Sequence, residues 1–172
     1  MEQQEQIKRH NFRLKEIEII NGGTEFKANW TEKHETDALD YDTKHMKQDY
    51  NFNNYKPAYL ASKLQEHAVE LNSHTEDTVV NITKIGINEY GIDGEKQFTI
   101  KLDYEFYASG ENPAKATTNK VVMSEDYYHR AEDVIKIIED MIENMYDHLV
   151  EGTRFPIEEA DAELEGNILQ VA

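Results

Sequence analysis

Polar and apolar residues alternate with a period of two over several stretches of this chain, and apolar residues recur at spacings of three and four over two others. The first alternation is FRLKEIEII (12–20). Phe12 and Leu14 lie on one phase and Ile17 and Ile19 on the other, which predicts a strand with a bulge near Lys15–Glu16. Asn21-Gly22-Gly23 predicts a tight turn, since glycine takes a positive φ without steric cost. TEFKANWT (24–31) places Phe26, Ala28 and Trp30 on one face and completes a hairpin with the single tryptophan on its buried side. Residues 32–44 are polar and aperiodic and read as a loop. HMKQDYNF (45–52) is a weaker strand carrying Met46, Tyr50 and Phe52. Pro57 suits the first turn of a helix, where its missing N–H costs nothing. Leu60, Leu64, Ala68 and Leu71 follow at helical spacing, which predicts a helix over about 56–72.

The plan then repeats. VVNITKIGIN (79–88) is a strand, Ile92-Asp93-Gly94-Glu95 a turn, and KQFTIKLDYEFY (96–107) the clearest alternation in the chain. A loop with Gly110 and Pro113 leads to a short strand near 117–123. Ser124 is placed to cap a long helix whose dipole Glu125 and Asp126 would complement. Its apolar stripe is Tyr128, Ala131, Ile135, Ile138, Met141 or Ile142, Met145 and Leu149, and Gly152 is a stop signal. The expectation is one α+β domain over 1–152, an antiparallel sheet with two packed helices. They would lie on the side formed by Phe26, Trp30, Phe98, Ile100, Leu102 and Phe106. The pseudo-halves, about 12–72 and 79–151, raise an internal β-β-β-α duplication. The alternative is that two ordinary α+β units look alike at this level of pattern. Residues 153–172 read as an acidic, partly flexible tail in which Phe155, Ile157, Leu164, Ile168 and Leu169 could dock, and residues 1–10 as a frayed charged arm.

Charge changes the picture. From Ser124 to Glu165 there are fourteen acidic and three basic residues, so 3 − 14 gives −11 of the chain's −17. Such a field repels bare nucleic acid and attracts basic surfaces. The chain has no cysteine, which excludes disulfides, thiolate nucleophiles and cysteine zinc sites. The N-terminal MEQQEQIKRHNF lacks the apolar stretch of a signal peptide, and no apolar run is long enough to span a bilayer, so a cytoplasmic protein is expected.

Candidate chemistry is sparse. The seven histidines form no His-Glu-x-x-His pair and no Glu-x-x-His pair on either predicted helix, so no metal is expected. Asp37, Asp40 and Asp42 lack the glycine and closing glutamate of a calcium loop. None of Ser62, Ser73, Ser109 and Ser124 sits on a nucleophile elbow. Aromatic residues such as Tyr50, Phe52, Tyr55 and Tyr59 could stack bases, but no basic groove accompanies them, and they read as core and helix-docking residues. The expectation is no catalysis, no cofactor and no direct nucleic-acid binding.

What remains is the helix face itself. Glu132, Asp133, Glu139, Asp140, Glu143 and Asp147 recur with almost no interspersed lysine. Like charges at i,i+4 destabilise a helix. A feature that costs stability suggests a partner-binding role, one form of which is mimicry of a phosphate track. A solubilising surface is the plain alternative.

The segment VVMSEDYYHRAEDVIKIIEDMIENMYDHLVEG (121–152) resembles the C-terminal part of small uncharacterised phage and prophage proteins. In those, a short strand leads into an acidic dipeptide and tyrosine, then a long acidic helix and a charged tail. YKPAYLASKLQEHAVEL (55–71) is similar to their earlier helix. The likeness covers about half the chain, and the first long loop departs from it by its length. It implies a host-cytoplasm role and carries no catalytic residues. The functional expectation is a non-enzymatic accessory or inhibitor protein that binds a basic protein through the acidic helix face. A virion or assembly component, self-associating as a homo-oligomer, and a small-molecule or nucleotide-sequestering protein are the alternatives.

Overall fold

The structure, a computed structural model, describes residues 2–3, 9, 11–92, 95–107 and 112–157. Among the described residues seven strands form one antiparallel sheet: β1 (Phe12–Ile20), β2 (Glu25–His34), β3 (Tyr41–Tyr50), β4 (Val79–Ile92), β5 (Glu95–Tyr107), β6 (Ala114–Thr117) and β7 (Val121–Val122). Their order is β3-β2-β1-β4-β5-β6, with β7 also pairing β5. Helices α1 (Lys56–Lys63), α2 (Gln65–Leu71) and α3 (Ala131–Leu149) pack on it in an α+β fold. The helical layer lies over the middle of the sheet, with α3 on β1, α1 on β1 and β4, and α2 on β4.

The alternation in the sequence decides which sheet face is covered. Phe12, Leu14, Ile17, Phe26, Ala28, Trp30, Ile85, Phe98, Ile100, Leu102 and Tyr104 are buried under the helices, while Phe106 is only partly so. Each such large side chain removed from water contributes roughly 2 kcal/mol. The expected bulge is present: the β1–β2 register shifts between Leu14 and Glu16. The strand therefore turns first Leu14 and then Ile17 inward. The β1–β2 turn runs through Asn21, Gly22 and Gly23 at φ 52°, 68° and 93°, the left-handed region that the glycines make accessible.

The two halves relate to one another through the central β1–β4 pair, Ile17 opposite Ile85. Outward from it the ladders match. Ile17 pairs with Ala28 and Leu14 with Trp30; Ile85 pairs with Leu102 and Ile82 with Tyr104. Both ladders shift register between those two pairs, the second one between Ile82 and Lys84. The strand order is thus symmetric about the sheet centre.

Several sequence expectations need correction. The loop expected over 32–44 shrinks to residues 35–40: β2 runs to His34, β3 starts at Tyr41, and the ladder is continuous from Glu25–Tyr50 to His34–Tyr41. The helix expected over 56–72 is two helices meeting at Leu64, whose N–H bonds back to the Ala61 carbonyl. Ser124 does not cap the long helix. Its carbonyl accepts the Tyr127 and Tyr128 N–H groups in a separate turn, and the helix begins at Ala131 after Arg130 leaves helical geometry at φ −107°, ψ 27°. The strand near 117–123 is split into β6 and β7. Between them Thr118 takes over the ladder, its Oγ1 accepting the Leu102 N–H at 2.9 Å. Arg9, placed in a frayed arm, reaches Glu143 at 2.6 Å. Phe155 does dock, bridging to Asn54, and the acidic tail from residue 158 lies outside the described residues.

Candidate functional site: the acidic face of the long helix

Helix α3 is held by polar anchors at its C-terminal end as well as by its apolar stripe. The buried positions are Ala131, Val134, Ile138, Met141, Asn144, Met145, Tyr146 and His148. This face is rotated slightly from the expected stripe, since Ile135 and Ile142 are only partly buried. Asn144 and Asn54 exchange reciprocal amide hydrogen bonds, at 2.9 and 3.2 Å, in full burial. His148 Nε2 faces Asp49 Oδ2 at 2.8 Å and its Nδ1 faces the Thr153 carbonyl at 3.0 Å. Both ring nitrogens thus meet oxygen atoms. Arg154 adds a 3.0 Å contact to the same Asp49 oxygen. Burial works to raise the Asp49 carboxyl, but hydrogen bonds from Asn53, the Tyr50 N–H and His148 outweigh it and hold it well below the usual carboxylate range.

A second cluster fixes the start of the helix. Tyr128 is buried and its hydroxyl donates to Glu70 Oε2 at 2.8 Å. A hydroxyl has one hydrogen, so the 2.7 Å contact with His67 Nδ1 makes that nitrogen the donor. Burial, then the Glu70 bond, pushes the Tyr128 hydroxyl up, while burial and the nearby Arg130 charge push His67 down. Arg130 bridges Glu66 at 2.7 Å, Asp133 at 3.3 Å and Glu70 at 3.5 Å, tying α3 to α2.

The six carboxylates singled out in the sequence lie along α3. Glu132, Asp133, Glu139, Asp140 and Glu143 are exposed, and Asp147 is partly buried. Asp133 is held by Arg130 and Glu143 by Arg9. Glu132, Glu139 and Asp140 have no ion-pair partner among the described residues. With Lys136 the helix carries 1 − 6, or −5. Asp147 is raised above its ordinary value, by burial first and then by the charges of Glu143 and Glu151.

Asp140, Glu143 and Asp147 form one wall of a cleft of about 400 Å³ between α1 and α3. The other wall carries Lys56, Tyr59 and Lys63, and Phe155 also lines it. Lys56 Nζ lies 5.0 Å above the Phe155 ring and Lys63 Nζ 4.6 Å above Tyr59, so the chain's own cations cover both rings. The aromatic cluster noted in the sequence is divided between this cleft, the core and the β3 edge. Among the described residues no group of three or more His, Asp or Glu side chains is arranged to hold a metal ion. No helix among them is long and apolar enough to cross a membrane.

The sequence reading missed the Asp49–His148 and Asn54–Asn144 anchors. One signal was available: Asn144 and His148 sit at stripe positions of α3, and a polar residue on an apolar stripe demands a partner. Comparison with protein-family models, curated proteins and solved structures finds no match to this chain.

Proposed function

We propose that this chain is a non-enzymatic accessory or inhibitor protein that binds a basic protein through the outer face of α3. The observation that carries this reading is the state of Glu132, Glu139 and Asp140. They are exposed, lie on the side of the helix away from its buried stripe, and have no cation partner among the described residues. Elsewhere the fold spends its cations locally, Arg130 on three carboxylates and Arg9 on Glu143. The cleft between α1 and α3 offers three carboxylates against two lysines, a poor phosphate site, which disfavours the nucleotide-sequestering reading. A phage or prophage origin and a host-cytoplasm setting, with an occupied nucleic-acid groove as the target, belong to this proposal.

The attraction is electrostatic and weakens steeply with salt. Capture from a bacterial lysate at low and high salt identifies the partner, and binding is then measured with that protein purified. Reversing Glu132, Asp133, Glu139, Asp140 and Glu143 to lysine is expected to lower affinity by orders of magnitude while circular dichroism shows the helix retained. Unchanged affinity of the reversed protein at moderate salt would make the face a solvated surface and sink the reading.

A further inference from the structure

We infer that β3 is a self-pairing edge, and that two copies of this chain join their sheets through antiparallel β3–β3 pairing. Among the described residues β3 is terminal in the sheet and pairs with β2 alone. The Asn51 N–H bonds to the Thr24 carbonyl at 2.7 Å, which places odd-numbered residues of this strand toward β2. The even-numbered residues therefore turn N–H and C=O to the open edge. At Tyr50 both groups are already used, the N–H by Asp49 Oδ1 at 2.8 Å and the C=O by the Asn53 N–H at 3.0 Å. Asp42, Lys44, Met46 and Gln48 remain, and among the described residues no strand pairs with them.

Three observations make a second copy the occupant. Among the described residues, five of the eight exposed large apolar side chains lie on or beside this strand: Leu39, Tyr41, Met46, Tyr50 and Phe52. The strand is electrically neutral, Lys44 and Lys47 against Asp42 and Asp49, in a chain of −17. Pairing along it therefore brings no net strand charge against itself. The third is register. A two-fold axis at His45 sets Asp42 opposite Gln48 of the second copy and Lys44 opposite its Met46. That pairing uses all four open positions at once, with about eight backbone hydrogen bonds. It opposes no two carboxylates. It is also face-matched, so the helical layers of both copies stay on one side of a continuous sheet.

The axis makes His45 face itself in a non-hydrogen-bonded pair, with Cα atoms about 4.5 Å apart, within disulfide reach. The chain has no cysteine, so His45→Cys is expected to give a disulfide-linked dimer on mild oxidation, and Gln48→Cys, which would face Asp42, is not. Sedimentation of the unmodified protein should give a dimer, strengthened by salt because salt screens the repulsion between acidic copies. This is the opposite sign to the basic-partner reading, so the two stand or fall separately. Met46→Pro removes an outward N–H and leaves the β2 ladder intact, and is expected to give a folded monomer. A monomeric unmodified protein, a dimeric Met46→Pro protein of unchanged circular dichroism, or crosslinking at Gln48 in place of His45 would each overturn the proposal. The first outcome would leave the edge to a strand from another protein.

Discussion

Trp30 and Tyr104 occupy matching places on either side of the Ile17–Ile85 pair, each buried, each opposite a β-bulged strand. Outside them the two halves diverge. Trp30 is followed outward by β3, ten residues long and unbroken. Tyr104 is followed by β6 and β7, four and two residues long, with Thr118 plugging the gap between them. Short, interrupted edges resist pairing with other chains, and long neutral apolar ones invite it. The helices diverge in parallel. The first half packs two short helices that meet at Leu64, the second one 19-residue helix with a charge of −5. The shared part of the pattern is the buried part. What differs lies where another molecule could touch.

The largest test strikes that shared core. Leu102 and Ala28 are partners of Ile85 and Ile17 at matching positions, and both are fully buried. An unpaired carboxylate there costs several kcal/mol, comparable with the whole stability of a small domain. Leu102→Asp is expected to abolish the cooperative thermal transition, and Ala28→Asp to do the same if the halves are equivalent. A melt within a few degrees of the parent for either variant would break the comparison.

The next test concerns the link between the halves. Asp49 on β3 and His148 on α3 are separated by 99 residues and joined at 2.8 Å. At the matching place in the second half, opposite Ile100, stands Val121, so the link has no counterpart there. Asp49→Asn takes from Arg154 its charge partner and from His148 the carboxylate it faces, and is expected to cost about 3 kcal/mol in urea unfolding at neutral pH. The pH sign follows from the depressed Asp49 carboxyl. Its stabilisation is present above the unfolded value, about 3.9, and is lost as pH falls below that toward the folded value. The Asn variant should therefore show a shallower loss of stability in acid than the parent. Equal acid slopes for the two proteins would remove Asp49 from the account.

How much of this was legible in the sequence follows from where each element lies. β1, β2, β4 and β5 sit under the helices, so burial wrote period-two alternation into them. The start of β3 did not show, because Tyr41, Asp42 and Lys44 are exposed and nothing selects an apolar face. The break at Leu64 was hidden because Leu60, Leu64 and Ala68 all stay buried across it. Ser124 looked like a cap by composition, but the buried Tyr128 and its bond to Glu70 anchor the preceding turn separately. The acidic face was legible as charge, since six carboxylates on one helix need no tertiary knowledge. Its division into residues held by Arg9 and Arg130 and residues left unpartnered depended on contacts made only in the fold.

The smallest predicted effect separates the cost of the acidic face from its use. Asp147 is partly buried beside Glu143 and Glu151, and its carboxyl is raised by that burial first and by those charges next. A carboxyl that holds its proton more tightly in the folded state weakens the fold when ionised, and the penalty disappears as pH falls through its raised value. Asp147→Asn should therefore stabilise the protein at neutral pH, by no more than a few tenths of a kcal/mol because solvent still screens the repulsion. The gain should vanish on acidification, the reverse of the behaviour at Asp49. A carboxylate kept at a cost fits a binding face, where stability is given up for contact. If the proposed basic-partner reading holds, the same variant should bind that partner more weakly while melting slightly higher. A higher melting temperature with undiminished binding would place Asp147 outside the contact surface and move its boundary to the exposed residues from Glu132 to Glu143.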